Sequence, residues 1–298
     1  MPSFGTDGSR QNESRPDPLV IPNDVALLVL AAALMHASWN TILKASESML
    51  LDTAVITVGA GAIALATLPF MPPPRPESWP WLTASVALHF LYHLALIDAY
   101  RHGDLSHTYP LMRGGAPLIV VLLTPLLLGE LVGPQVFSGI VLVSLGIVVP
   151  TVHTLARHGA RKATAFAVAN AAIIAGYTLV DGQGARLSGH AISYSQWLFF
   201  LDSFAISAVA SKLHGRYVLA YARRRFLPGL TGAVLTLASY GIAIWAMTRA
   251  PIAAVAALRE TSVIFAAVIG TAVLKEPFGA WRIAGAMLVA SGIALMKL

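Results

Sequence analysis

His36, Trp39, Asn40 and Lys44 lie in one apolar run, the last three at steps of three, four and eight from the first. A helix would carry all four on one face. Such a stripe offers donors, an aromatic platform and a cation to a polar ligand. The competing reading has Asn40 bonding a neighbouring helix while Trp39 and Lys44 anchor at a membrane interface. His89, Tyr92 and His93 repeat the pattern at i, i+3 and i+4. Two histidines four apart can hold a metal only with a third ligand. None with diagnostic spacing follows, so no metal and no cofactor is expected. A polar cavity wall or a titrating proton site suits these three residues, with satisfied structural histidines as the alternative.

Tyr109 and Pro110 precede Arg113-Gly114-Gly115 and Pro117. Two prolines and a glycine pair predict a kinked or loosened helix whose freed carbonyls line a cavity. Arg259 opens a second polar group, Arg259-Glu260-Thr261-Ser262. Two arginines at membrane depth either bind an anionic group of a solute or pair with intramembrane acids. Asn170, Tyr177 and Asp181 share a helical face. Trp39, Tyr92, Tyr177 and Tyr240 would shape the cavity. Asp181, Asp202 and Glu260 are the acids that could carry a coupling proton. Asp98 reads as a solvated charge at a helix end. Each charge at bilayer depth costs roughly 2.5–3.5 kcal/mol on insertion scales, so those present are the functional candidates.

These residues need a membrane around them. The 298-residue chain is 56% hydrophobic and 11% charged, with a mean hydropathy of +0.70. So little charge cannot cover a water-facing surface of this size. About ten spans of near-crossing length are predicted, at roughly 24–45, 50–71, 79–100, 106–128, 134–152, 163–183, 192–210, 228–248, 251–273 and 279–297. Residues 1–22 read as a polar, disordered tail. There is no cysteine, which excludes disulfides and thiolate metal sites. The net charge of +6 sits largely in loops, where it records topology, so no nucleic-acid partner is expected. The basic, aromatic run Lys212–Phe226 reads as an interfacial loop against anionic headgroups.

The chain also repeats itself. Arg113 matches Arg259, Glu130 matches Glu276, Gly139 matches Gly285 and Gly146 matches Gly292, all at one step (259 − 113 = 292 − 146 = 146). The halves are then 23–152 and 163–298, joined by a basic linker at 153–162. Five spans per half would turn the second half upside down relative to the first, the arrangement that lets a central site face either side in turn. Lys and Arg fall roughly twelve against six on the two sides, which puts the termini outside. Glu130 and Glu276 would pair with neighbouring chain or cap the following helix. Gly139, Gly146, Gly285 and Gly292 read as close helix-packing surfaces, for scaffold or for dimer contacts. A monomer or a homodimer fits equally.

The segments HASWNTILKAS, AYRHGDLSHTYPLMRGGAPL, LLLGELVGPQVFSGIVLVSLGI, GYTLVDGQGAR and APIAAVAALRETSVIFAAVIGTAVLKEPFGAWRIAGAMLVASGIALM resemble the EamA-type transporters of the drug/metabolite transporter superfamily. The resemblance covers nearly all of the chain beyond the tail. It implies an all-α polytopic protein of ten helices in two inverted five-helix repeats, with a central cavity near the midplane. It also implies secondary transport across the inner (plasma) membrane, often outward. The first-helix acid of the small multidrug relatives has no counterpart, since His36 and Asn40 occupy that region.

The expected function is secondary transport of a small polar or zwitterionic metabolite, an exporter of amino-acid-like compounds. Drug or cation efflux and nucleotide-sugar-like exchange are the transport alternatives. An intramembrane enzyme would need paired acids or a metal cluster, which have no recognisable spacing here. A channel is the remaining class. No phosphate-binding loop is present, which argues against direct ATP drive.

Overall fold

The computed structural model describes residues 21–44, 46–102, 105–158, 161–274 and 279–297. The side chains of 96–109, 150–163 and 273–274 fall outside that description. Among the described residues every regular element is helical. In chain order these are α1 (Asn23–Lys44), α2 (Met49–Thr67), α3 (Trp79–His102), α4 (Leu105–Leu128), α5 (Pro134–His158) and α6 (Arg161–Leu187). Then follow α7 (Ala191–His214), a short α8 (Tyr217–Arg224), α9 (Phe226–Met247), α10 (Ile252–Arg259), α11 (Ser262–Leu274) and α12 (Ala280–Lys297).

Among the described residues, seven helical stretches are long and apolar enough to cross a membrane: 23–44, 49–70, 110–128, 164–187, 226–247, 252–272 and 280–297. Their outer faces are bare hydrocarbon. Leu27, Leu126 and Met287 are 68%, 80% and 60% exposed. A surface of this kind is stable against lipid and not against water.

The core is built from small and β-branched residues. Val29 of α1, Val120 of α4, Ile140 and Val143 of α5, Ala253 and Ala257 of α10 and Val289 of α12 form one cluster. The closest packing joins α5 to α12, and glycine makes it possible. A side chain at Gly139 would meet the Gly292 carbonyl at 2.6 Å, and one at Gly146 would meet the Gly285 carbonyl at 2.6 Å. Gly139 therefore lies opposite Gly292 and Gly146 opposite Gly285, so the two helices run antiparallel. These glycines are used within the chain, as scaffold.

Other helix pairs recur in a pattern. α1 packs on α9 as α6 packs on α3, and α2 packs on α9 as α7 packs on α3. α4 packs on α6 as α10 and α11 pack on α1. α2 and α7 pack on each other.

Four expectations need adjustment. Of the tail expected at 1–22, residues 1–20 lie outside the described residues, while Ile21 is buried and its carbonyl accepts from Lys297 Nζ at 3.0 Å. The linker expected at 153–162 is helical to His158 and again from Arg161, because its sequence lacks a breaker before Gly159. The basic, aromatic run expected as a loop contains α8. The span expected at 251–273 is two helices, α10 and α11, with a break at Glu260–Thr261.

At that break the backbone tightens into three-residue turns. Glu260 N–H donates to Ala257 O and Thr261 N–H to Leu258 O, while the Thr261 hydroxyl donates to Leu258 O at 2.8 Å. The proline- and glycine-bearing span runs as the unbroken helix α4 despite Pro110, Pro117 and Pro125. Gly114 serves packing there: a side chain would strike Val148 and the Ser144 carbonyl of α5.

Candidate functional site

The break between α10 and α11 carries the densest charge in the interior. Arg113, Arg259 and Glu260 are 3%, 7% and 4% exposed. Arg113 on α4 and Glu260 meet at 2.8 Å. That ion pair joins the first half of the chain to the second. Arg259 is directed elsewhere: its guanidinium lies over the Tyr240 ring, 4.9 Å from the centroid. Among the described residues no carboxylate lies within ion-pair distance of Arg259.

A cleft between α4, α6 and α10 is lined by Arg113, Tyr177, Thr178, Arg259 and Glu260. His36 of α1 lies within Coulombic reach of both arginines. Tyr92 of α3 and Tyr177 of α6 feel Arg113, Arg259 and Glu260 together. His36, Tyr92, Arg113, Tyr177, Tyr240, Arg259 and Glu260 thus share one environment.

Aromatic rings form its wall. The His89 ring stacks on Tyr177 with centroids 4.4 Å apart, and Tyr92 meets Tyr177 edge-on at 5.8 Å. Behind Tyr240 lies Asp181, fully buried. The Tyr240 hydroxyl donates to one carboxylate oxygen at 2.5 Å and the Tyr194 hydroxyl to the other at 3.2 Å. Ser85 Oγ lies 3.2 Å from His89 Nδ1 on the same side of the bundle.

Other expected residues stand apart. Trp39 Nε1 donates to His36 Nδ1 at 3.3 Å, while the Asn40 amide donates to the His36 carbonyl at 2.7 Å. His36, Trp39 and Asn40 are therefore held together within their own helix, and among the described residues Asn40 has no hydrogen bond to a neighbouring one. The Asn170 amide donates to Met112 Sδ at 2.9 Å between α4 and α6, outside the cleft lining. His93 and Asp202 interact electrostatically where α3 faces α7. Tyr109 and Asp98 have side chains outside the described residues, and Glu276 lies outside them altogether.

Glu130 caps a helix, but not the one that follows it. Its carboxylate accepts from the Ile252 N–H at 2.9 Å, at the start of α10, and from Arg186 at 2.6 Å. Arg186 also donates to the Met247 and Ala250 carbonyls, closing the turn between α9 and α10. At α8, Arg225 grips both oxygens of buried Asp52 at 3.1 and 3.2 Å, and the Tyr221 hydroxyl donates to the same carboxylate. Tyr194, Arg186 and the Asp52 clamp were not legible as functional residues. Their partners lie 13, 56 and 173 residues away, beyond any helical spacing.

The sequence from 161 to 298 matches the EamA-like transporter family. That half of the chain belongs to the EamA-like transporters. The protein is thereby placed in the drug/metabolite transporter superfamily and is a membrane transporter of that type. A solved crystal structure of a protein superposes with a TM-score of 0.72 at 19% identity, covering 92% of this chain and 97% of that one. At that identity the likeness speaks for the fold of this EamA-like transporter. No curated protein matches the sequence. Among its described residues no three His, Asp or Glu side chains converge as a metal site.

Proposed function

We propose that the protein is a secondary transporter of a small zwitterionic or anionic metabolite, amino-acid-like in size. It would work by alternating access, as an exporter at the plasma membrane with its termini outside. The observation that carries this reading is the unequal treatment of two matching arginines. Arg113 and Arg259 occupy equivalent positions, but Glu260 falls where the first half has Gly114 (260 − 114 = 146). Among the described residues, one carboxylate lies within ion-pair distance of these two guanidiniums. Glu260 balances Arg113 at 2.8 Å, and Arg259 is left to aromatic contact with Tyr240. A ligand carboxylate at Arg259 supplies the missing charge. Tyr177 and Thr178 line the cleft for the rest of the ligand, with His36 and Tyr92 within electrostatic reach of its two arginines.

Ten crossings in two inverted halves are part of this reading. The antiparallel Gly139–Gly292 and Gly146–Gly285 contacts support it, because an exchange of halves maps one contact onto the other. The paired helix contacts support it in the same way.

Flux in proteoliposomes tests the site. Saturable uptake of a radiolabelled amino-acid mixture that disappears in Arg259→Ala supports it. Transport unchanged in Arg113→Ala and Arg259→Ala together overturns the assignment.

A further inference from the structure

We propose that Asp181 is the proton-carrying site of this transporter and that Tyr240 links its protonation to occupancy of Arg259. The proposal rests on the transporter reading above and adds a driving ion and a route.

Three buried acids compete for the role. Glu260 already has its charge balanced by Arg113 at 2.8 Å. Asp202 lies on α7 near His93, and among the described residues it has no hydrogen bond to a side chain that touches Arg259. Asp181 alone is joined by a hydrogen bond to a side chain that touches Arg259. That side chain is Tyr240, whose ring face lies under the guanidinium and whose hydroxyl donates to Asp181.

The surroundings of Asp181 fit a group that gains and loses a proton. From α3 it faces Ser85 and His89, from α7 Tyr194, and from α9 Tyr240. α4 and α10 bring Arg113, Arg259 and Glu260, which face Tyr177. Among the described residues no Lys or Arg lies within ion-pair distance of Asp181. A carboxylate buried there without a cation is costly, and taking up a proton removes the cost. Two phenols stabilise the anion while it lasts, so neither state is prohibitive.

The transfer balances. A hydronium ion that reaches Tyr240 gives a proton to its oxygen as the Tyr240 O–H bond breaks toward Asp181 Oδ2. The products are water, an intact phenol and a neutral Asp181 carboxyl. The reverse step releases the proton when the cleft faces the other side. Protonation at Oδ2 reverses that hydrogen bond, so that Asp181 donates to the Tyr240 oxygen, and it removes the negative charge behind the ring that carries Arg259. Proton and ligand carboxylate are thereby coupled through one side chain.

Proteoliposomes holding the full chain test this with a radiolabelled mixture of the proteinogenic amino acids. One pH unit can drive about tenfold accumulation in one-for-one exchange. The expected result is accumulation near that limit in the wild type, falling to onefold in Asp181→Asn, which still exchanges internal for external label at reduced rate. Tyr240→Phe, which keeps the ring under Arg259, should reach its limit at least tenfold more slowly. Gradient-driven accumulation retained in Asp181→Asn overturns the proposal. Should Asp181→Asn not fold, wild-type kinetics in Tyr240→Phe overturn it instead. If the wild type moves no amino acid, the substrate reading fails separately, and infrared titration of the purified protein decides. A protonated-carboxyl band that titrates in the wild type and is lost in Asp181→Asn or shifted in Tyr240→Phe supports the proton site. A band unchanged in both variants, or none, overturns it.

Discussion

Replacing Arg113 by Met, or Glu260 by Gln, should destabilise the protein sharply, and making both changes together should restore much of the loss. The two side chains are 4% and 5% exposed and meet at 2.8 Å. Removing one partner leaves a buried charge without compensation, which costs about 3–5 kcal/mol. At roughly 2 °C per kcal/mol for a chain of this size, the melting temperature falls by about 6–10 °C. The double variant Arg113→Met, Glu260→Gln removes both charges and keeps the volume. It should melt within a few degrees of the wild type, giving a coupling of about 2 kcal/mol or more. Six tryptophans supply the fluorescence signal for thermal unfolding in detergent. Strictly additive losses would refute the reasoning, because they would mean that Arg113 and Glu260 do not depend on each other.

Arg259→Lys keeps the charge but loses the planar fork and its stacking on Tyr240, so uptake should weaken by at least tenfold, read as a rise in the half-saturating concentration. Gly139→Leu and Gly292→Leu each push a side chain into the opposing backbone and should lower the melting temperature, whereas an exposed control such as Leu126→Ala on α4 should not. Glu130→Gln keeps an acceptor for the Ile252 N–H but loses the ion pair with Arg186, and Glu130→Ala loses both; thermal unfolding should rank them wild type, Gln, Ala, with about 1 kcal/mol at the last step. Asp52→Asn removes the charge that Arg225 grips and should expose the start of α2 to limited proteolysis.

The membrane class and nearly all helix positions were legible because both follow from apolar run length, which is a local property. The polar candidates were legible because charge is rare in this sequence. His36, Tyr92, Arg113, Tyr177, Tyr240 and Arg259 do share one environment. What spacing could not give was the pairing. Arg259 and Glu260 are adjacent, and a helix sends them in different directions, so Glu260 reaches Arg113 while Arg259 covers Tyr240. The break in the ninth span was equally hidden. Arg259-Glu260-Thr261-Ser262 holds neither proline nor glycine, and the break is fixed by contacts across the fold. The proline-rich α4 gave the opposite signal, yet it stays helical through Pro110, Pro117 and Pro125. Asn170 shares a face with Tyr177 on α6, yet its amide turns to Met112 and away from the cleft.

The central claim is that one polar cleft opens to each side of the membrane in turn. The chain has no native cysteine, so a single Thr178→Cys places a unique thiol in the cleft lining. Its reaction with a membrane-impermeant maleimide can be followed in vesicles of both orientations. The account predicts labelling from both sides, with an imposed pH gradient or added amino acids shifting reactivity from one side to the other. A thiol that reacts from one side only, whatever the gradient, would contradict it.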